Sequence, residues 1–364
     1  MTGIYIHIPF CNSKCPYCDF YSFKADEKQK DGYLKAVLFC LDKYKDTLTD
    51  TVDTIYFGGG TPSVFGGERI GEIINHIKKG FKVCPTAEIT VECNPSSVTA
   101  EFVNLIAVAG ANRISMGMQS AVTTERLKLG RHSDTDKIRE CITLFKNEGI
   151  DNISLDLMLG VPGQNEESLD ESIDFLLTSG IKHISAYMLK VEEGTPYHTY
   201  RNSLNLPDED ETCDMYLHTV KRLSENGFMQ YEVSNFCLDG YHSRHNLHYW
   251  HCDEYLGIGP SAHSFLKGRR FYFGRDFESF LTDPTPIPDG EGGSEEEYIM
   301  LNLRLNEGLS DKKYYERFGK HIEKQLFEKA KAFEKAGLLT VDGDTIRLNE
   351  KGFLLSNTII GELI

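Results

Sequence analysis

Short runs of β-branched and aromatic residues alternate with longer helical patterns through the first half of this 364-residue chain, and this alternation limits its fold most strongly. The predicted strands are residues 4–8, 54–57, 88–92, 113–116, 153–157 and 183–189. The predicted helices between them are residues 27–44, 68–79, 100–109, 135–148 and 166–177. Strands joined by helical crossovers pair in parallel, with right-handed connections. The pattern therefore predicts an α/β fold, a partial barrel of six βα units.

The second half of the chain predicts smaller units. A helix over 208–227 and a strand over 231–236 come first, and the run DPTPIPDGEGGS over 283–294 has the composition of a linker. Beyond it are predicted helices over 295–305, 314–318 and 323–336 and a hairpin of residues 338–341 and 345–348. Three helices followed by a hairpin resemble a winged helix, so the C-terminal domain is expected to be mostly helical. We predict three units, residues 1–200, 201–285 and 295–364.

Composition excludes several classes of function. The chain has 39 Lys and Arg against 55 Asp and Glu, a net charge of −16, which argues against a large nucleic-acid interface. No apolar run approaches the roughly 20 residues of a membrane-spanning helix. The N-terminus lacks a basic start and a small-residue cleavage site, so it does not indicate a signal peptide. Ten cysteines are too few for a disulfide scaffold of this length. We therefore predict a cytoplasmic protein.

Unusual residues occur at the same end of five successive predicted strands. They are the cysteine loop after the first strand, Gly58-Gly59-Gly60 after the second, Glu92-Cys93-Asn94-Pro95 after the third, Met118-Gln119-Ser120 after the fourth and Asp156 near the end of the fifth. In βα barrels, catalytic groups gather on loops at the carboxyl ends of the strands. Packing alone does not explain this distribution, so it predicts an active site at this end.

Three cysteines, Cys11, Cys15 and Cys18, lie within one eight-residue loop. They favour an iron–sulfur cluster with three protein ligands, because a cluster held by the protein alone uses four thiolates. Three ligands would leave one iron open to a small molecule. The alternatives are a zinc site completed by a distant residue such as His7, or three unrelated cysteines. Structural zinc sites prefer two short ligand pairs, and the sequence shows no second pair.

The Cys-x-x-x-Cys-x-x-Cys loop after the first strand of a six-unit βα barrel resembles that of the radical S-adenosylmethionine (radical SAM) superfamily. The resemblance covers about residues 1–200 and implies a 4Fe–4S cluster held by the three cysteines. It places Tyr17 beside the adenine of S-adenosylmethionine (SAM). It also makes Gly59, Gly60 and Thr61 part of the turn that receives the methionine amino group. The glycine run is not a Walker loop, since no Gly-Lys-Ser/Thr follows it.

The whole chain is similar to one branch of that superfamily, which holds the oxygen-independent coproporphyrinogen III oxidases (HemN) and the haem chaperones (HemW). This resemblance implies further SAM ligands at Tyr5, Glu92, Gln119, Arg131 and Asp156. Acidic groups suit the ribose hydroxyls or the amino group, and an arginine suits the carboxylate. Taken singly, Glu92 or Arg131 is more often a salt-bridge partner than a ligand.

Two features separate the oxidases from the chaperones. The oxidases typically have a fourth cysteine two residues after the third, where this chain has Phe20. They also have an N-terminal extension before the barrel, whereas the first strand is predicted here from Ile4. Both features disfavour coproporphyrinogen oxidase activity.

The string His245-Asn246-Leu247-His248-Tyr249-Trp250 matches the HNxxYW motif of the chaperone branch. The resemblance makes His245, Asn246, Tyr249 and Trp250 haem candidates, because histidine can bind haem iron and the aromatic rings offer flat surfaces. The alternative is that such a string fills a core and forms local hydrogen bonds. The axial ligand is left open among the histidines near this motif and two cysteines, Cys237 and Cys252.

The resemblance thus implies a haem chaperone that binds a 4Fe–4S cluster and SAM, carries haem as cargo and passes it to apo-haemoproteins of the respiratory chain. Nucleic acid is not an expected partner. SAM cleavage, homodimer formation and transient membrane association are left open. The alternatives are a coproporphyrinogen III oxidase and, disfavoured by the net charge, an RNA-modifying radical enzyme.

Overall fold

The computed structural model describes residues 1–364, and its first half is a series of parallel strands and helices. In chain order these are β1 (Thr2–Ile8), α1 (Glu27–Tyr44), β2 (Val52–Gly59), α2 (Pro62–Phe65), α3 (Gly67–Gly80), β3 (Val83–Cys93), α4 (Ala100–Ala109), β4 (Arg113–Gln119), α5 (Thr123–Lys128), α6 (Thr135–Asn147), β5 (Asn152–Leu159), α7 (Glu166–Thr178) and β6 (His183–Met188). All six predicted strands and all five predicted helices are present. The largest difference at an end is in β3, which begins at Val83 rather than at residue 88.

The residues after β6 extend the same sheet at both edges. The elements are α8 (Pro196–Thr199), α9 (Glu209–Glu225), β7 (Met229–Glu232), β8 (Asn235–Cys237), α10 (Arg244–Trp250), β9 (Tyr255–Ile258), β10 (His263–Leu266), β11 (Arg269–Tyr272), α11 (Phe277–Thr282) and β12 (Ile287–Glu291). The twelve strands form one sheet in the order β12-β11-β10-β9-β1-β2-β3-β4-β5-β6-β8-β7. Strand β9 pairs in parallel with β1, and β8 pairs antiparallel with β6. Strands from both sides of residue 200 share this sheet. The division of the chain into units at that residue stays a prediction.

Two predictions for this region are wrong. The single strand over 231–236 is a hairpin, in which β7 ends at Glu232 and β8 begins at Asn235. The Ser234 N–H donates to the Glu232 carboxylate over 3.2 Å, which stabilises the turn. The run over 283–294 is not only a linker, because β12 within it pairs with β11. Pro288 is tolerated there because β12 is an edge strand.

The barrel strands have two chemically different faces, because successive side chains point to opposite sides of a strand. Outward residues are apolar and buried in one core with the helices: Ile4, Ile6, Ile8, Ile55, Phe57, Ile89, Val91, Ile114, Met116, Ile153 and Leu155. Inward residues are polar or carry a hydroxyl: Tyr5, His7, Thr54, Tyr56, Glu88, Thr90, Glu92, Arg113, Ser115, Ser154, Asp156 and Ser185. The apolar packing is therefore outside the barrel, and the interior is polar.

The C-terminal part has the expected helices and hairpin. Its elements are α12 (Glu295–Asn302), β13 (Leu309–Ser310), α13 (Asp311–Phe318), α14 (Lys324–Lys335), β14 (Leu339–Asp342), β15 (Thr345–Leu348), α15 (Glu350–Leu354) and α16 (Ser356–Leu363). The short strand β13 pairs with β15, giving a three-stranded sheet in the order β13-β15-β14. Strand β13 and the last two helices were not predicted.

The C-terminal part contacts the end of α10. The Asn302 amide donates to the Trp250 carbonyl oxygen over 3.4 Å, and the Arg317 guanidinium donates to the Cys252 carbonyl oxygen over 2.6 Å. His251 pairs with Glu307 at 2.6 Å. No helix of the chain combines the length and the apolar character needed to cross a bilayer.

Candidate functional site

A cavity of about 600 Å³ lies at the carboxyl ends of the parallel strands. Among the residues that line it are Cys11, Cys15, Tyr17, Cys18, Gly59, Gly60, Thr61, Glu92, Gln119, Arg131, Asp156 and Asn246. The structure thus brings together all three predicted cluster cysteines, eight of the nine predicted SAM-binding residues and one haem candidate. The sequence-based location of the site, at this end of the barrel, agrees with the observed cavity.

The cysteine loop connects β1 to α1 and forms one wall of the cavity. All three thiols are partly exposed and free of disulfide bonds. The Cys11 thiol lies 3.2 Å from the Thr61 hydroxyl, and the Cys18 N–H donates to the Cys15 carbonyl oxygen over 3.1 Å. The loop is anchored from outside by Tyr197, whose N–H donates to the Pro16 carbonyl oxygen over 3.0 Å.

The donor set of this loop fits an iron–sulfur cluster, because its three thiols, half-exposed, line one cavity. Nowhere in the chain do three or more His, Cys, Asp or Glu side chains surround a position for a single metal ion. His7, the alternative zinc ligand, uses both ring nitrogens elsewhere. Its Nε2 donates to the Tyr21 carbonyl oxygen over 3.0 Å, and its Nδ1 accepts from the Tyr5 hydroxyl over 3.1 Å.

The glycine turn after β2 packs tightly against the cysteine loop. Gly59 has a φ of 107°, which L side chains rarely adopt. A Cβ at Gly60 would lie 2.8 Å from the carbonyl oxygens of Ile8 and Phe10. The N–H groups of Gly60 and Thr61 donate to these same two oxygens, each over 2.8 Å. Glycine is therefore required here by the backbone, whether or not a ligand approaches.

Glu92 lies at the end of β3, on the wall of the cavity. Its carboxylate accepts from the Tyr56 hydroxyl over 2.7 Å and from the Gly59 N–H over 3.2 Å. Burial raises the pKa of Glu92 to about 7, and the Asp156 carboxylate adds to this, whereas the bond from Tyr56 opposes it. The carboxyl group is thus held in one place and titrates near neutral pH.

Asp156 and Arg131 face the same cavity from β5 and from the loop after α5. Burial raises the pKa of Asp156 to about 6, against the attraction of the Arg131 guanidinium. The Ser115 hydroxyl donates to Asp156 over 3.3 Å. The Arg131 guanidinium donates to the Tyr17 hydroxyl over 2.9 Å, which links it to the cysteine loop. Together with Glu92, these residues give the cavity one guanidinium and two carboxyl groups, a suitable set for a zwitterion with hydroxyls.

Gln119 ends β4 in a strained conformation. Its φ is 72°, in the left-handed region that residues other than glycine adopt at an energetic cost. The Tyr187 hydroxyl from β6 donates to its side-chain oxygen over 2.9 Å. The pairing of β4 with β5 also shifts register between Gly117 and Gln119. These features turn the Gln119 amide toward the cavity.

Tyr5 is the one predicted SAM residue that does not line the cavity. It lies lower in the barrel, where its hydroxyl bonds to His7 and its ring lies beside those of Tyr56 and His245. Its spacing from Cys11 does not give its depth in the barrel, and its role as a SAM ligand stays a prediction.

The haem candidates lie on α10. This helix is at the amino end of the barrel, opposite the carboxyl ends of the strands. Asn246 reaches the cavity, and Tyr249 and Trp250 are half-buried. His245 is buried, with both ring nitrogens within 2.8 Å of hydroxyl groups, those of Thr54 and Tyr249. Its role as a haem ligand stays a prediction.

Several cavity residues were missed: Tyr56, Ser115, Ser185, Tyr187 and Asn235. Four of them lie inside barrel strands. The signal that could have found them is the two-residue alternation in segments such as Ile114-Ser115-Met116 and Ile184-Ser185-Ala186, where polar residues interrupt apolar ones.

Sequence families match both parts of the chain. The Radical SAM superfamily matches residues 5–176, and the HemN C-terminal domain matches residues 296–355. The resemblance to the radical SAM superfamily and its HemN/HemW branch is therefore confirmed. The predicted fold class is also confirmed, because the chain has a TM-score of 0.85 with coproporphyrinogen III oxidase (HemN) from Escherichia coli. That match has 19% identity and covers 100% of this chain and 89% of the other, so it shows the fold alone.

Curated relatives match the full length of the chain. The protein named heme chaperone HemW from Mycobacterium tuberculosis is 34% identical over 100% of this chain and 94% of its own. The proteins of that name from Lactococcus lactis and Bacillus subtilis are each 31% identical over 100% of this chain, and over 97% and 99% of their own. At this identity and coverage, and with this cavity behind a three-cysteine loop, the chain belongs to the HemW family of the radical SAM superfamily.

Proposed function

We propose that this protein is a haem chaperone of the radical SAM type, which delivers haem to haemoproteins. The observation that carries the proposal is full-length similarity to relatives named heme chaperone HemW, in a chain whose cavity contains the three cysteines and eight predicted SAM residues. We further propose a cytoplasmic location and clients in the respiratory chain. Nucleic acid is not a proposed partner, given the net charge of −16.

Cys11, Cys15 and Cys18 would hold the 4Fe–4S cluster. When bound, such a cluster supplies electrons at low potential and an iron that is open to SAM. The loop that carries the thiols is fixed at three points: by Thr61 on the glycine turn, by Tyr197 and by the backbone of Phe23, whose carbonyl oxygen accepts from the Cys11 N–H over 2.9 Å.

The chain's own groups would orient SAM within the cavity. The Arg131 guanidinium would pair with the carboxylate of the methionine part, in the position that the Tyr17 hydroxyl gives it. Glu92 and Asp156 would accept hydrogen bonds from the amino group or the ribose hydroxyls. Gln119 would add an amide from the opposite wall, held there by Tyr187.

The segment from His245 to Trp250 is the proposed haem region. Asn246 supports this, because it reaches the cavity from α10. Trp250, the one tryptophan of the chain, is half-buried where the C-terminal part contacts α10. Haem bound here would lie between the barrel and the C-terminal part, so its transfer would depend on how these two parts meet.

The alternative is a coproporphyrinogen III oxidase. The likeness to the Escherichia coli oxidase supports a shared fold, but it carries no activity at 19% identity. Phe20 stands where the oxidases typically have a fourth cysteine, and its side chain is 68% exposed beside the cavity.

An anaerobic assay would separate the two functions. The cluster-reconstituted protein would be incubated with SAM, a strong reductant and coproporphyrinogen III, while protoporphyrinogen and 5′-deoxyadenosine are followed together. We expect no porphyrinogen turnover. The same preparation, loaded with haem, would then be mixed with an apo-haemoprotein, and the Soret band of the product would be measured. Turnover of the porphyrinogen, or failure to transfer haem, would contradict the proposed function.

A further inference from the structure

Helix α10 closes the amino end of the barrel. The backbone N–H groups of Arg244 and His245 both donate to the Glu88 carboxylate, each over 3.1 Å. The Arg244 guanidinium also donates to the carbonyl oxygens of Thr86 and Asp53, over 2.8 and 3.1 Å. The first turn of the helix is therefore fixed to β2 and β3 by four hydrogen bonds.

His245 points from this helix into the barrel and is 1% exposed. Its Nδ1 lies 2.8 Å from the Thr54 hydroxyl and its Nε2 lies 2.8 Å from the Tyr249 hydroxyl. A neutral imidazole has one donor and one acceptor nitrogen, so these two hydroxyls satisfy it completely. On β1 a Cβ at Gly3 would lie 3.1 Å from the ring, so the chain leaves space for the ring there.

The ring of His245 supports the ring of Tyr56. The two rings stack with their centroids 5.0 Å apart and their planes at 26°. The Tyr5 ring lies beside both of them, 6.3 Å from His245 and 6.1 Å from Tyr56. The hydroxyl of Tyr56 donates to Glu92, on the wall of the cavity, over 2.7 Å. A continuous set of contacts therefore runs from α10 through two rings to a carboxylate that faces the cavity.

We propose that His245 is a positioning residue for the SAM site, which fixes the Tyr56 ring so that its hydroxyl holds Glu92 in place. This inference rests on the SAM-binding part of the proposed function. It gives the HNxxYW histidine a role that it performs while buried. A bond from the same histidine to haem iron would take one nitrogen away from Thr54 or Tyr249, so the two roles compete.

The test is the affinity of the cluster-reconstituted protein for SAM, measured by anaerobic calorimetry. His245→Phe keeps an aromatic ring but leaves both hydroxyls without their partner, so the ring loses its fixed position. We expect SAM binding to weaken about tenfold, as for the loss of roughly one buried hydrogen bond. The matched control is His242→Phe, which alters a half-buried histidine that contacts Tyr231 instead. The control is expected to bind SAM as the parent does.

A double-mutant cycle shows whether His245 acts through Tyr56. Tyr56→Phe removes the hydroxyl that holds Glu92, so adding His245→Phe to it should weaken SAM binding no further. Equal effects of His245→Phe with and without the Tyr56 hydroxyl would overturn the inference, because a merely structural role is independent of that hydroxyl. If thermal unfolding shows that His245→Phe is unfolded, His245→Gln takes its place, since its amide keeps a polar group beside the hydroxyls but offers no ring to Tyr56.

The outcomes separate the inference from the proposed function. If the parent protein binds no SAM, both fail. If the parent binds SAM and His245→Phe binds it equally well, the inference alone fails. If His245→Phe loses the Soret spectrum of bound haem at unchanged SAM affinity, His245 is a haem ligand and the positioning role is wrong.

Discussion

Ile6 and His7 are neighbours in β1, yet they lie in opposite surroundings. Ile6 belongs to the apolar core shared with the outer helices, and it is fully buried. His7 faces the interior, where burial lowers its pKa to about 4 and both its nitrogens are hydrogen-bonded. The same difference repeats at Tyr56 and Phe57 in β2.

The outer face of the barrel strands stabilises the fold, and the inner face holds the polar groups of the site. Apolar burial on the outer face stabilises the fold in proportion to the area removed from water. Polar groups on the inner face contribute little net stability, and they are costly wherever a partner is missing. Thr90 and Arg113 each have a buried polar atom without a partner. The barrel interior is therefore maintained by the outer core, and substitutions on the two faces should have different consequences.

The largest effect is expected at the cysteine loop. Cys15→Ser removes one cluster ligand, so bound iron after anaerobic reconstitution should fall by about an order of magnitude. The free energy of unfolding of the apoprotein should change by less than about 0.5 kcal/mol, because the side chain is partly exposed. Cys213→Ser, a partly exposed cysteine on α9, is the matched control and should keep the iron. Equal iron in both variants would contradict the assignment of the loop.

Neighbouring residues of β2 give the next test. Phe57→Ala removes a fully buried ring from the outer core, so the free energy of unfolding should fall by about 3–5 kcal/mol in urea denaturation. Tyr56→Phe on the inner face should cost less, about 1.5–3 kcal/mol, the value of one hydrogen bond to a carboxylate. The second variant should instead weaken SAM binding. Similar losses of stability in both variants would break the distinction between the two faces.

Glu92→Gln should stabilise the apoprotein at alkaline pH. The pKa of Glu92 is about 7 in the folded protein against 4.5 when unfolded, so the folded state holds the proton more strongly. The stability due to this group is complete below pH 4.5 and is lost as pH rises through 7. Relative to the parent, the variant should therefore gain about 2 kcal/mol between pH 4 and pH 8. That figure is less than the pKa difference alone would give, because the carboxyl group borders a cavity. Urea denaturation of both proteins at the two pH values measures the gain, and a constant difference would show that the interior does not shift this pKa.

The smallest effect is expected outside both faces. Lys331 pairs with Glu328 at 2.8 Å on the exposed surface of α14. Such ion pairs contribute little in water, so Lys331→Ala should change the free energy of unfolding by less than about 0.5 kcal/mol. Urea denaturation measures this change, which serves as the reference for the other substitutions. A change above 1.5 kcal/mol would mean that this surface ion pair does contribute to stability.

The sequence predicted the barrel because the outer face repeats in a simple way. Each strand is a short run rich in β-branched and aromatic residues, and the helices have apolar residues at helical spacing, as in residues 70–77. The hairpin of β7 and β8 was missed because its turn consists of Val233 and Ser234. Neither residue is a glycine or a proline, the residues that most often indicate a turn. The edge strand β12 was missed because proline and glycine dominate it, and a strand that is exposed on both faces has no apolar pattern.

The site was predicted both in loops and in strands. The cysteine loop, the glycine turn and Arg131 were found, as were the strand residues Glu92, Gln119 and Asp156, and the structure gathers them around one cavity. Tyr56 and Tyr187 were not found, because a tyrosine inside a strand looks like a core residue until its neighbours across the barrel are known. The depth of Tyr5 and the burial of His245 depend on how α10 enters the barrel, which no local pattern in the sequence describes.

The position of β1 has a consequence for synthesis on the ribosome. This strand is made before both of its partners. One of its edges soon pairs with β2, but its other neighbour is β9, at residues 255–258. At translation rates of roughly 5–20 residues per second, that edge waits for about ten to fifty seconds. An unpaired strand edge is a template for pairing with other chains. The nascent chain therefore passes through a long interval in which it can aggregate, and a product that stops before β9 keeps that edge exposed.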